Sequence, residues 1–153
     1  MVLTQPTEQD WAIRTAVYRF FIDRARVPST DEVATQFDIG PAAARAALHR
    51  LHDAHTLLFE PDGERIRMLN PFSGVETPYR VDTDGQAYFA NCAWDMLGIP
   101  AMLGQDALIH APLEVVDEMV EMPVVDGLPR PDRDFVVNFS VPFRDWYENQ
   151  VHT

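Results

Sequence analysis

The sequence predicts an α+β protein in two parts: a three-helix unit closed by a hairpin over residues 1–69, then a small mixed β-sheet domain over residues 70–153 with a helix carrying the cysteine. Three observations predict it. Apolar residues recur at helical spacing in three stretches before residue 53, each with its own start signal. Beyond residue 57 the apolar runs shorten to three to seven residues and are separated by turn sequences such as Pro61-Asp62-Gly63 and Asp82-Thr83-Asp84-Gly85. One stretch in the second half, Asn91 to Ala101, opens with a strong helix-capping residue directly after an apolar run.

Thr7 is positioned to cap the first helix, with Asp10 on its first turn and Ile13, Val17, Phe20 and Phe21 as one apolar stripe. Ser29 or Thr30 caps a short second helix containing Val33, Ala34 and Phe37. Gly40-Pro41 starts a third, because proline suits a first helical turn, and Ala44, Ala47, Leu48 and Leu51 form its stripe. Leu57-Leu58-Phe59 and Arg65-Ile66-Arg67-Met68 then read as a hairpin. Three helices and a hairpin resemble a winged helix-turn-helix.

Asn70 to Val81 is proline-rich and reads as an extended linker. Tyr79-Arg80-Val81 and Ala87-Tyr88-Phe89 form a second hairpin that leads into the Cys92 helix. Ala107–His110 is a strand closed by Pro112. The segment 114–125 fits a helix through Val115, Val116, Met119 and Val120, or extended chain through Met122-Pro123-Val124-Val125. Phe135 to Val141 is the clearest strand of the second half, with Val137, Phe139 and Val141 on one face, and Phe143, Trp146 and Tyr147 form an apolar patch after it.

Composition narrows the function classes. The chain has 153 residues and a net charge of −12. Residues 1–75 carry eight Arg against ten acids, residues 76–153 four Arg against fourteen, and there is no lysine. The second half therefore repels phosphate backbones. No apolar run reaches 18 residues and the start lacks a signal pattern, so a soluble cytoplasmic protein without a membrane partner is expected. One cysteine excludes an internal disulfide and a multi-thiolate site within one chain. No Gly-rich phosphate loop, Gly-x-Ser-x-Gly, His-Glu-x-x-His or Cys-x-x-Cys is present. His110 reads as a structural residue rather than a ligand, and His49, His52 and His55 as surface histidines, although His49 and His52 share a helix face.

That leaves Cys92 and Asp95. With Asn91 as cap, Cys92 is the first helical residue, and a spacing of three puts thiol and carboxylate on one face, about 5–6 Å apart at Cβ. The free N–H groups of a first turn favour the thiolate, while the carboxylate holds the proton on sulfur or accepts it. Such a pair joins a soft nucleophile to a proton carrier. A free cysteine is otherwise most often a buried, inert hydrophobe.

The run Asn91-Cys92-Ala93-Trp94-Asp95, followed by Gly98-Ile99-Pro100-Ala101 and Leu103-Gly104, resembles the active-site segment of the organomercurial (alkylmercury) lyase family. Asn70-Pro71-Phe72-Ser73-Gly74 and Thr77-Pro78-Tyr79-Arg80-Val81 are similar to segments that precede that site. The resemblance implies protonolytic cleavage of carbon–mercury bonds in mercury detoxification. Cys92 would be nucleophile and mercury ligand and Asp95 the proton relay, with mercury as substrate and no cofactor. Asn91 and Trp94 would be structural, as cap and packing. It also implies a second mercury-binding cysteine in the C-terminal half, which this sequence does not contain. An external low-molecular-weight thiol, a longer chain, or a selenocysteine read beyond Thr153 would supply that ligand. The alternative is a non-catalytic, thiol- or metal-responsive winged-helix transcription regulator that touches nucleic acid through Arg45, Arg50, Arg65 and Arg67. The weak basic footprint makes nucleic acid an unlikely partner. Oligomeric state has no sequence signal.

Overall fold

The computed structural model describes residues 5–113, 116–139 and 141–148. The chain divides into two compact units, residues 1–70 and 71–153. The layout is α+β, helices first and then an antiparallel sheet with a helix between strands. No helix among the described residues is long and apolar enough to cross a membrane.

In the first unit, α1 (Glu8–Arg24) opens on a reciprocal cap. The Asp10 N–H donates to Thr7 Oγ1 at 3.2 Å, and the Thr7 N–H donates to Asp10 Oδ2 at 2.7 Å. Ile13, Val17 and Phe21 are buried as the spacing predicts, joined by Tyr18. Phe20 instead lies half-buried beneath the guanidinium groups of Arg24 and Arg26. Ser29 and Glu32 form the same box at the start of α2 (Thr30–Gln36). Pro41 begins α3 (Pro41–Asp53), whose buried residues are Ala44, Ala47, Leu48 and Leu51. Two antiparallel strands follow, β1 (Leu58–Phe59) and β2 (Ile66–Leu69).

In the second unit, β3 (Phe72–Ser73), β4 (Arg80–Thr83), β5 (Gln86–Ala90), β6 (Ala107–Leu113), β7 (Glu118–Val125) and β8 (Leu128–Pro129) lie in the order β3-β5-β4-β6-β7-β8. Each described pair within this unit is antiparallel, where a mixed sheet was expected. Tight turns join β4 to β5 and β7 to β8, and such turns can only reverse the chain. Gly85, at φ +89°, supplies the left-handed position of the first of these turns. The one long connection is α4 (Asp95–Leu103), which links β5 to β6 across β4 and packs on β3, β4, β5 and β6. The core between helix and sheet includes Phe72, Val81, Tyr88, Ala90, Ile99, Ile109 and Ala111.

Several expectations are corrected. The supposed linker contains β3, with Phe72 fully buried and paired with Ala90; two residues are too few to display alternation. β6 runs on through Pro112 to Leu113. It can do so because β4 pairs only as far as His110, so beyond it the strand has a neighbour on one side alone, where a missing N–H is tolerated. The ambiguous segment is a strand over Glu118–Val125, and its Glu114 and Val115 lie outside the described residues. Phe135 to Phe139 is not a strand. Its alternation is real, but Phe139 and Val136 are exposed rather than buried against a sheet face. Ser140 and the side chains of Phe143 and Tyr147 lie outside the described residues.

Candidate active site

The site is built where β5 ends at Ala90 and the chain bends through Asn91–Trp94 before entering α4. Asn91 does not cap the helix, and Cys92 is not its first residue. The regular helix begins at Asp95, behind Trp94 in right-handed helical conformation and without a side-chain cap. The physical reason lies in what the Asn91 side chain does instead. Its Nδ2 donates to the Phe72 carbonyl at 3.1 Å, the Asp95 carboxylate at 3.0 Å and, more distantly, the Pro71 carbonyl at 3.4 Å. Helical hydrogen bonding nonetheless reaches back to the cysteine, since the Met96 N–H donates to the Cys92 carbonyl at 3.2 Å.

Cys92 and Asp95 are brought together, both half-buried. Burial pushes the Cys92 thiol up, and the neighbouring Asp95 charge pushes it further. The N–H groups of Asp95 and Trp94 bond to the sulfur and oppose this without overcoming it. Thiolate-favouring N–H donors are thus present, though not from a first turn that starts at Cys92, and they are outweighed. Asp95 is also raised, by burial, with hydrogen bonds from Asn91 and Cys92 acting in the opposite sense. Each group therefore holds a proton more tightly than it would in water.

Around this pair the second unit supplies support that the sequence did not reveal. Trp94 is 57% exposed and is not the packing residue expected. Its ring lies 6.0 Å from that of Phe139, which lies 5.2 Å from Trp146, whose indole N–H donates to the Val141 carbonyl at 2.8 Å. Gly98 lets α4 lie against Pro71, since a Cβ there would meet the proline Cβ at 3.0 Å. Its place in the Gly98-Ile99-Pro100 run was visible, but a close approach has no signature in one sequence.

The remaining candidates do not join the site. His110 is a structural residue on the face of β6 opposite Ile109, its Nε2 2.9 Å from Asp82 and its Nδ1 3.5 Å from Glu121. His49 stacks on Phe59 and His52 meets the same ring edge-on, so both pack the hairpin. Among the described residues no group of three His, Cys, Asp or Glu could hold a metal ion. Arg50 forks onto the fully buried Asp10 at 2.7 and 2.8 Å, Arg45 pairs with Glu64 and Arg67 with Glu60.

Comparison with known proteins bears directly on this geometry. A family model described as alkylmercury lyase matches residues 72–153, more than half of the chain. Among solved structures, the crystal structure of the mercury-bound form of MerB2 shares the fold, with a TM-score of 0.67 and 20% sequence identity. The match covers 82% of this chain and 60% of that one, so the chain spans about three-fifths of the length of that relative. Curated proteins offer no match.

Proposed function

The chain belongs to the alkylmercury lyase family, and from that premise we propose that it cleaves carbon–mercury bonds by protonolysis, with Cys92 as nucleophile and mercury ligand and Asp95 as proton relay. The observation that carries the reading is the shared site of thiol and carboxylate, each raised in proton affinity, with the carboxylate held by Asn91.

The chemistry follows from the pair. An organomercurial arrives as its adduct with a small thiol, R–Hg–SR′. Mercury is soft and prefers sulfur, and a thiol that coordinates a metal gives up its proton even when its free pKa is high. As the Cys92 sulfur–mercury bond forms, the proton passes to the Asp95 carboxylate, which burial has made a better base than a solvated aspartate. Asp95 then delivers that proton to carbon as the carbon–mercury bond breaks, which is general acid catalysis. The sum is Cys92–SH + R–Hg–SR′ → Cys92–S–Hg–SR′ + R–H, with the Asp95 charge restored. A further external thiol exchanges the mercury off the protein. In this scheme the low-molecular-weight thiol occupies the position of the second cysteine that the sequence lacks.

The regulator alternative is less well supported. Three of its four basic residues are engaged with carboxylates, and one of those carboxylates is fully buried. The test is to incubate the protein with phenylmercury and excess small thiol and to measure benzene against Cys92→Ser and Asp95→Asn. Release that vanishes in both variants is expected. Benzene release that persists in Asp95→Asn at the wild-type rate refutes the relay, and one-to-one mercury binding without any release refutes the lyase reading.

A further inference from the structure

Near the thiol–carboxylate pair the second unit holds a partly open cavity of about 260 Å³. Ala93, the residue after Cys92, forms part of its wall, and so do Met96 and Leu97 of α4. Ile109 and Ala111 of β6 and Met122 of β7 line it from one sheet face, as the alternation of β-strands requires. Every side chain lining it is apolar. An apolar cavity of about 150 Å³ binds benzene, so this one has room for an aryl ring or a short alkyl chain, and its side chains offer no charge to an anion.

We propose that this cavity receives the hydrocarbon group of the organomercurial, so that aryl and longer alkyl groups are preferred over methyl, with Ala111 and Leu97 setting its size. The inference rests on cleavage at Cys92 and extends it from the bond broken to the group released. Two features favour this occupant. The cavity adjoins the residues that would hold mercury: Ala93 is bonded to Cys92 in the chain, and Met96 is tied to Cys92 by a backbone hydrogen bond. Mercury on Cys92 presents carbon on one side and sulfur on the other, and an apolar recess receives the carbon side while the thiol stays toward solvent. Asp95 lies in the same short stretch of chain, between the lining residues Ala93 and Met96. Burying the hydrocarbon there removes apolar surface from water in proportion to its size, whereas methyl has almost nothing to bury.

The experiment has two independent readouts. In the absence of mercury, toluene contacts are followed by ligand-observed NMR on the wild-type chain and on Ala111→Leu, which fills the cavity. With mercury, the ratio of kcat/KM for phenylmercury over methylmercury is measured on the same proteins and on Leu97→Ala, which enlarges it; circular dichroism checks that each is folded. Toluene contacts in the wild type that disappear in Ala111→Leu are expected. So is a phenyl-to-methyl ratio lowered at least ~10-fold in Ala111→Leu, and a preference shifted toward naphthylmercury by a similar factor in Leu97→Ala, since one methylene in an apolar pocket discriminates by roughly 10–200-fold. Continued cleavage with an unchanged ratio in both variants overturns the proposal and leaves the lyase reading standing. Absence of cleavage of any organomercurial by the wild type overturns the lyase reading and the substrate assignment with it, while toluene binding still reports whether the cavity takes a hydrocarbon. Should Ala111→Leu fail to fold, the shift or its absence in Leu97→Ala decides.

Discussion

Replacing Asn91 by alanine separates a positioning role from a structural one. The wild-type amide donates to Asp95 Oδ2 at 3.0 Å and holds the Phe72 carbonyl at 3.1 Å. A hydrogen bond to a charged group is worth about 1.5–3 kcal/mol, and one pKa unit corresponds to about 1.4 kcal/mol. Asp95 is half-buried, so screening lowers that figure, and losing the donor raises the Asp95 pKa further. In the proposed mechanism Asp95 must start ionised to accept the thiol proton, and Cys92 must start protonated to supply it. Activity therefore rises with pH through the apparent pKa dominated by Asp95, which burial raises above its ordinary 3.8, and falls through that dominated by Cys92, which burial raises above its ordinary 9.0. Asn91→Ala is expected to move the acidic limb of kcat/KM to higher pH and to leave the alkaline limb close to its wild-type place. Stability falls too, by about 1–2 kcal/mol, because the Phe72 and Pro71 carbonyls lose a partner. The informative measurement is the pH profile of benzene release beside a urea titration. A lowered midpoint in urea with an unmoved acidic limb refutes the positioning role.

The same reasoning yields two predictions on stability. Asp10 is held at about 2, below its ordinary 3.8, first by its hydrogen bonds from Arg50, so the native state prefers the ionised form. The sign follows: this stabilisation, about 2 kcal/mol, is complete above pH ~5 and is lost as pH falls through 3.8 toward 2. Asp10→Asn is thus expected to be less stable than the wild type by about that amount at pH 7 in urea unfolding, with the difference shrinking toward pH 2; a difference independent of pH would show that the pairing charge is not the cause. Gly98→Val places branched carbon where even a Cβ meets Pro71 at 3.0 Å. It is expected to cost about 1–3 kcal/mol as overpacking and to lower benzene release by displacing α4, and a variant at wild-type stability and rate would remove Gly98 from the site's support.

Both raised groups also explain how one cysteine can be quiet at rest. Low-pKa thiolates are the ones most easily oxidised. A thiol kept protonated by burial and by a neighbouring carboxylate resists that chemistry, yet yields its proton to an ion that binds sulfur directly. In the proposed mechanism the protonation state is set by the arrival of substrate rather than by solvent.

What could be read from the residues was whatever depends on near neighbours in the chain. The caps at Thr7 and Ser29, the buried stripe of α3, the turn at Asp84-Gly85 and the juxtaposition of Cys92 with Asp95 are all contacts within a few residues, and short-range sterics and hydrogen bonding suffice for them. The family was legible for the same reason, since its motif is a continuous run that includes Asn91-Cys92-Ala93-Trp94-Asp95. Tertiary structure decided the rest. Asn91 is drawn off its cap by the Phe72 and Asp95 oxygens, the first of them nineteen residues away in the chain. Two-residue β3 exists because β5 offers it an edge, and the alternating run at Phe135–Phe139 pairs with no strand among the described residues. The proton affinity of Cys92 was settled by burial, which sums over distant parts of the chain and outweighs the local N–H groups that favour a thiolate. Local geometry could bring sulfur and carboxylate together; only the packed fold could set the dielectric between them and open an apolar recess beside them.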